Sequence, residues 1–472
     1  MQVKLALPKG QLQESTAALL EEVGFAIGDY HEGSRSYRPQ CDDFPDILTK
    51  VFHEKDIAIQ VAIGNYDLGI CRLDWVEELL VKYHSDAVVK VGNLGYGKRS
   101  LYAVAASSSE AKSLEALESR SQSVRIVSEY PNLAESFALK RRLRRFQIFP
   151  AWGAAGVYPP ENAELAIVAE TSSNRLREQG LVPVATILES SACLVANRNS
   201  LQGKDLSRFL VALSCTDVGD IGIEEAVGVG AEAEAEAQRP VVGEPVVTLA
   251  LPDGHQQPHT VDFLNRAGLK IDGYNVGRPT ARPRIGLDGV MVKVVRPQDM
   301  PLQVANGNFD LAITGRDWLR DHHFRFPSSP VEELLQLGFG RVRIVAVVTQ
   351  DMPVSNTDDL RKLKRDSALR VASEYVNIAD KYAHDNHLTP CKIIPTWGAS
   401  EAFLPEDADV LIENTQTGST IARHNLKIID TLFESSACLI GNTEAMGRLD
   451  KREKISHLVE AMRRGVEAHP LS

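Results

Sequence analysis

Glu413 followed by Thr417-Gly418-Ser419-Thr420 is a set of residue types suited to a sugar phosphate. A carboxylate accepts hydrogen bonds from ribose hydroxyls, while hydroxyl side chains and backbone N–H groups cradle a phosphate. Gly418 lets the backbone approach that ligand closely. The elements that must position these groups are legible too. Residues 410–412, Val-Leu-Ile, form a short continuous apolar run, the pattern of a strand covered on both faces. A polar loop then leads into a helix through 421–424, whose first N–H groups favour an anion. An ordinary Thr/Ser helix cap uses the same residues, so this stretch alone does not separate the two readings.

Other turns with chemical potential sit at similar junctions. Lys9-Gly10, Gly315-Arg316 and Thr417-Gly418 each follow a strand-like run. Open α/β sheets bind ligands outside the carboxyl ends of their strands, so these turns are expected to face a cleft. Strands are expected over 3–7, 67–71, 101–106 and 124–127, and helices over 11–23 and 133–144. Such alternation predicts a mixed or parallel sheet wrapped by helices.

The pattern is written twice. Leu5-Ala6-Leu7-Pro8 returns 244 positions later as Leu249-Ala250-Leu251-Pro252, and Gly64-Asn65-Tyr66-Asp67-Leu68 returns 243 later as Gly307-Asn308-Phe309-Asp310-Leu311. Ser128-Glu129-Tyr130 returns as Ser373-Glu374-Tyr375 and Trp152-Gly153-Ala154 as Trp397-Gly398-Ala399. Glu189-Ser190-Ser191-Ala192-Cys193-Leu194 recurs unchanged 245 positions later, at 434–439. A register held over that length means two homologous halves. The expected division is 1–215, an Ala/Glu/Gly-rich linker at 216–245, and 246–472. The linker's Ala-Glu run at 231–237 has no apolar face with which to dock. Each half is long enough for two lobes around a cleft.

Composition narrows the function classes. With 43% hydrophobic and 24% charged residues, the 472-residue chain has a globular composition. A formal net charge of −11 argues against a nucleic-acid surface. No apolar run is long enough to cross a membrane, and the first residues show no secretory pattern, so a cytoplasmic location is expected. Six cysteines with no C-x-x-C pair fit buried thiols in a reducing compartment. The twelve histidines show no metal-ligand spacing, and His322-His323 is expected to be solvated.

Taken in order, Leu-Pro-Lys-Gly at 7–10, Gly-Asn-Phe-Asp-Leu-Ala-Ile-Thr-Gly-Arg-Asp-Trp at 307–318, Leu-Gly-Phe-Gly at 337–340, Ser-Glu-Tyr at 373–375 and the loop at 413–420 resemble ATP phosphoribosyltransferase. The resemblance runs along both halves. It implies two tandem bilobed α/β units similar to the type II periplasmic-binding-protein fold. It also implies transfer of a phosphoribosyl group from phosphoribosyl pyrophosphate to N1 of ATP, with Mg2+, at the start of histidine biosynthesis. The chain is similar to two short-form cores without the histidine-sensing domain. The short form implies a histidyl-tRNA-synthetase-like regulatory partner, and the family's habit of pairing implies an intrachain pseudo-dimer, with further homo-oligomerisation left open.

The resemblance also assigns roles. Glu413 would accept the ribose hydroxyls, and Thr417, Gly418, Ser419 and Thr420 would hold the 5′-phosphate. Arg296 and Arg316 are candidates for phosphate, although surface ion pairing is an equally ordinary use. Asp317 would bind magnesium or substrate, or cap a helix beginning at Trp318. Glu374 would meet the adenine amine or act as a weak base, or close a capping box. Trp152 and Trp397 are expected to pack.

Departures from the family pattern divide between the halves. The first half has Val168, Ser173 and Arg175 where the second has Glu413, Gly418 and Thr420, and Cys71-Arg72 in place of Thr314-Gly315. The second half has Asp253 where the first has Lys9. Complementary losses point to one composite site: phosphoribosyl pyrophosphate on the second half, with Lys9 and Arg35 or Arg38 contributed by the first. The alternative is a non-catalytic nucleotide- or sugar-phosphate-binding, or regulatory, protein of the same fold.

Overall fold

The computed structural model describes residues 2–34, 36–41, 44, 46–83, 87–109, 112–120, 122–213, 246–277, 280–365 and 367–467. The linker expected at 216–245 lies outside them. The described residues of Met1–Pro150, Tyr158–Glu236 and Thr396–Ala402 form unit 1, and those of Ala151–Val157, Ala237–Pro395 and Phe403–Ser472 form unit 2. The units therefore differ from the expected division of the repeat by the short segments Ala151–Val157 and Thr396–Ala402.

In unit 1 the strands are β1 (Val3–Pro8), β2 (Ile47–Phe52), β3 (Leu68–Arg72), β4 (Val88–Asn93), β5 (Arg99–Ala106), β6 (Val124–Ser128), β7 (Phe146–Pro150), β8 (Leu165–Glu170), β9 (Leu181–Ser190) and β10 (Ala192–Asn197). They form two five-stranded sheets, ordered β2-β1-β3-β10-β4 and β7-β6-β8-β5-β9. Each sheet is the core of one lobe. The chain leaves the first lobe after β4 and returns to it with β10, so two short crossings join the lobes. β1 runs parallel to β2 and β3, while β10 is antiparallel to β3 and β4, so the sheet is mixed.

Unit 2 repeats this plan with β11 (Val247–Pro252), β14 (Val290–Val295), β15 (Leu311–Gly315), β16 (Val331–Gln336) and β22 (Ala437–Asn442) in one sheet. The other sheet holds β17 (Val342–Thr349), β18 (Leu369–Ser373), β19 (Cys391–Pro395), β20 (Val410–Thr415) and β21 (Leu426–Ser435). A two-stranded hairpin, β12 (Ile271–Asp272) with β13 (Arg284–Ile285), has been added. The tail helix Leu449–Glu467 turns Ile455, Leu458, Ala461 and Met462 onto the core of the first of these sheets.

β20 is the middle strand of its sheet. It runs parallel to β18, with Ser373 opposite Ile412, and antiparallel to β17, with Val345 opposite Glu413. Val410, Leu411 and Ile412 are fully buried at 0% exposure. Burial of each such side chain contributes about 1.5–3 kcal/mol. A slip of one residue would turn the strand's side chains to the wrong faces, so the apolar run fixes the register that delivers Glu413 to the strand end.

Element boundaries shift by a few residues from expectation, and two helices show why. The helix expected over 133–144 is Pro131–Lys140, and Arg142 just beyond it has φ +54, which ends the helical path. The helix expected from 11 begins at Gln13, after the turn at Gly10 with φ +91.

Candidate functional site

The turn after β20 gathers five of the candidate residues. Gly418 has φ +76 and caps the short helix Ser419–Arg423. A Cβ at Gly418 would meet nothing within 4 Å, so a ligand can lie directly against this backbone. Thr417 Oγ1 donates to Ser419 Oγ at 3.0 Å, and Gly418 N–H donates to Thr415 Oγ1 at 3.0 Å. Thr417, Ser419 and Thr420 are exposed, and Glu413 is half-buried at the strand end. The Glu413 carboxylate accepts the backbone N–H of Asn414 at 2.9 Å, which turns it back along the strand edge. The arrangement presents three hydroxyls and an acceptor around one open glycine.

Asp317 does not fit the expected role. It lies in the first turn of the helix Arg316–Arg325 and is 4% exposed. Its Oδ2 accepts the Tyr375 hydroxyl at 2.6 Å, and its Oδ1 accepts Ser435 Oγ at 2.8 Å. Burial raises its pKa above the usual carboxylate value. With both oxygens engaged inside the protein, Asp317 is a tie between the lobes of unit 2 rather than a ligand for magnesium or substrate. Nor does it cap a helix at Trp318, because the helix begins at Arg316. Among the described residues no group of three or more His, Cys, Asp or Glu is placed to hold a metal ion.

Both candidate arginines of unit 2 are held by carboxylates. Arg316 Nε meets Glu333 at 2.8 Å, and Arg296 meets Asp253 at 3.2 Å. The arginine side chains are 40% and 46% exposed, so these are surface pairs of small energy that an incoming phosphate can displace. Asp253 is thereby partly neutralised. Glu374 is half-buried between β18 and the helix Val376–Asp385. Capping of that helix falls to Asp321, whose Oδ1 accepts the N–H groups of Asn377 and Ile378, both at 2.9 Å. Trp152 packs edge-on against Trp318, with ring centres 6.0 Å apart, as expected of a packing residue.

In unit 1, Lys9 Nζ donates to the Tyr37 hydroxyl at 3.2 Å and lies 4.8 Å from the centre of its ring. Burial lowers its pKa, and the nearby carboxylate of Glu401 acts in the opposite sense. Arg38 Nη2 donates to the backbone oxygen of Ala402 at 3.5 Å. Arg35 lies outside the described residues.

The turn after β8 is built differently from its counterpart. Val168 stands opposite Tyr102 in the register where Glu413 stands opposite Val345, which confirms the equivalence of the two positions. Beyond it, the Glu170 carboxylate accepts both the N–H of Thr171 at 2.8 Å and its hydroxyl at 3.1 Å, and pairs with Arg175 at 3.6 Å. Arg72 is buried, paired with Glu54 at 2.7 Å, and donates to the backbone oxygen of Gly97 at 3.2 Å. Lys55 meets Glu129, the counterpart of Glu374, at 3.6 Å.

Of the two histidines expected to be solvated, His322 is buried and His323 is half-buried. His322 is 8% exposed and bonds Ser329 at 2.7 Å, and burial pushes its pKa down to about 4. His323 Nε2 lies 3.0 Å from the Val331 backbone oxygen. Sequence reasoning also missed Tyr375, Asn414 and Glu170. Tyr375 lies in a motif present in both halves, which was the available signal; nothing local marks the other two.

A family profile described as HisG, ATP phosphoribosyltransferase, matches residues 53–214 and 296–464, one segment in each half. The ATP phosphoribosyltransferase of Chlorobium chlorochromatii is 31% identical over 229 residues, which cover 48% of this chain and 73% of that protein. The ATP phosphoribosyltransferase of Chlorobium phaeovibrioides is 30% identical over 228 residues, 47% of this chain and 72% of that protein. Among solved structures, the ATP phosphoribosyl transferase (HisG:HisZ) complex from Thermotoga maritima aligns with a TM-score of 0.39 and 20% identity, over 47% of this chain and 100% of that one.

Proposed function

This chain belongs to the ATP phosphoribosyltransferase family, a family of transferases, as two diverged copies in tandem, and on that footing we propose that it joins N1 of ATP to C1 of phosphoribosyl pyrophosphate, using the turn after β20 as its sugar-phosphate site. The observation that carries the reading is that turn: an acceptor carboxylate at Glu413, an open glycine with φ +76, and exposed hydroxyls on Thr417, Ser419 and Thr420.

In the reaction the bond from C1 to the pyrophosphate oxygen breaks, and that oxygen leaves with the electron pair. N1 of the adenine supplies the pair for the new bond. Charge grows on the departing pyrophosphate while C1 becomes positive, so cations at the phosphates and a fixed ribose supply most of the barrier reduction. Glu413 holds the ribose hydroxyls, and residues 417–420 anchor the 5′-phosphate. Arg316 and Arg296 are available to the leaving phosphates by exchanging a surface carboxylate for a phosphate oxygen. Glu374, half-buried at the end of β18, is offered to the adenine amine. Among the described residues none are grouped to hold magnesium; Mg2+ would be brought by the substrate and would neutralise charge on the leaving pyrophosphate. A cytoplasmic location and a HisZ-like regulatory partner, such as the Thermotoga maritima complex contains, accompany this reading as proposals.

Release of pyrophosphate from ATP plus phosphoribosyl pyrophosphate by the purified full-length chain is the expected result. Binding of phosphoribosyl pyrophosphate without any pyrophosphate release would leave a sensor of the same fold. That second reading is favoured for the first half, where Glu170 fills its own turn.

A further inference from the structure

Tyr375 is fixed from every side. Its ring stacks on Trp318 at 4.2 Å between centres, and its backbone N–H donates to Ser373 Oγ at 2.9 Å. Ser373 Oγ in turn donates to the Ile412 backbone oxygen at 2.8 Å, so the tyrosine's own backbone is tied to β20. The side chain is 1% exposed, and its hydroxyl has two partners. It donates to Asp317 Oδ2 at 2.6 Å and accepts Asn414 Nδ2 at 3.0 Å. Asn414 is also the residue whose backbone N–H holds the Glu413 carboxylate at 2.9 Å. Asp317 is itself braced by Ser435, whose Oγ donates to Oδ1 at 2.8 Å and accepts the Asp317 N–H at 3.0 Å. A continuous chain of hydrogen bonds therefore runs from Ser435 through Asp317, Tyr375 and Asn414 to Glu413.

The first half keeps the stacked pair but not the chain. Trp75 and Tyr130 stack at 4.2 Å, matching Trp318 and Tyr375. Arg99 has moved between the acid and the phenol: its Nε meets Asp74 at 2.6 Å, and its Nη2 donates to the Tyr130 hydroxyl at 2.7 Å. The counterpart of Arg99 is Val342, since the two face Ser190 and Ser435 in equivalent pairs. The counterpart of Asn414 is Ala169, which has no polar side chain, and beside it stands Val168. The fold thus survives without the relay. The relay is present where the acceptor carboxylate is present and broken where the carboxylate is gone.

We infer that Tyr375 is a positioning residue for Glu413: anchored on Asp317, its hydroxyl holds Asn414 and so sets where the carboxylate meets the ribose. The inference rests on the reading of Glu413 as the ribose acceptor. A rigid acceptor loses less entropy on binding than a mobile one, so the relay shows itself in affinity for phosphoribosyl pyrophosphate rather than in turnover.

The test uses the full-length chain carrying Tyr375→Phe, Asn414→Leu, or both. Tyr375→Phe keeps the stacked ring but removes the hydroxyl, leaving Asp317 Oδ2 without that donor, so it also lowers thermal stability. Asn414→Leu cuts the same link at an exposed side chain and spares Asp317, which separates positioning from folding. Phosphoribosyl pyrophosphate titrated calorimetrically is expected to bind each single variant about fivefold to tenfold more weakly. The double variant should bind no more weakly than the worse single, because both cut one path. In hydrogen exchange, the amides of 413–420 should exchange faster in both single variants, with β18 unchanged in Asn414→Leu. Wild-type affinity in both singles, fully additive losses, or unchanged exchange at 413–420 would each overturn the relay. A wild-type chain that gives no binding heat would instead bring down the reading of Glu413, and the inference with it, and would be recognised because the fault already lies in the unmutated protein.

Discussion

The turn after β20 in unit 2 and the turn after β8 in unit 1 occupy the same place in two copies of one fold, yet their contents are opposed. After β20 there is a glycine at φ +76 with open space beside it and exposed hydroxyls. After β8 the residue before the helix, Ser172, has φ −154, and the carboxylate of Glu170 has folded into the turn to take the Thr171 donors and the Arg175 charge. The donors that would meet a phosphate are already engaged by an internal anion. The same substitution of internal for external charge recurs across the first half: Glu54 is matched by Arg72, Glu129 by Lys55 and Asp74 by Arg99. A cleft whose charges are matched among themselves has little left to offer a pyrophosphate. Duplication permits this, because one copy can keep the ligand while the other keeps only the fold.

The largest effect expected from breaking this contrast is at Gly418. Gly418→Arg removes the residue that tolerates φ +76 and fills the open space, so binding of phosphoribosyl pyrophosphate should be lost while the far-ultraviolet spectrum stays at wild type and melting falls only slightly from the strained φ. Unchanged affinity in a calorimetric titration would remove the turn from the site. Glu413→Ala should weaken binding roughly tenfold to a hundredfold, the cost of leaving sugar hydroxyls without a partner. Val168→Ala, at the matching position, should leave binding unaltered, and equal losses from the two variants would erase the contrast.

The smallest effect separates the halves by acid stability. His322 stands where the first half has Leu79, and burial holds its pKa at about 4 against 6.5 when free. Between those values the unfolded chain binds a proton that the folded one refuses, so stability falls as pH drops. His322→Leu should flatten that slope in denaturant titrations at pH 6.5 and 4.5, and an unchanged slope would place the acid sensitivity elsewhere.

Much of the fold was legible in the sequence. The apolar run at 410–412 marked β20, and the repeat marked two bilobed units, because burial and register act on neighbouring residues. What stayed hidden depends on partners far apart in the chain. Asp317 reads as a ligand or a cap until Tyr375, 58 positions away, is seen to donate to it. His322-His323 reads as a polar surface pair until β16 and Ser329 are packed beside it. Arg175 reads as a bulky intruder in the phosphate turn, whereas it is 64% exposed and Glu170 is the group that occupies the turn. Arg316 and Arg296 offered the right charge for phosphate, but their carboxylate partners Glu333 and Asp253 lie on other strands or turns.

The contrast between the two turns is tested most directly by counting. Calorimetric titration of the full-length chain with phosphoribosyl pyrophosphate should give one binding event per chain, abolished by Gly418→Arg. A stoichiometry of two, or a single event that survives Gly418→Arg, would contradict the account.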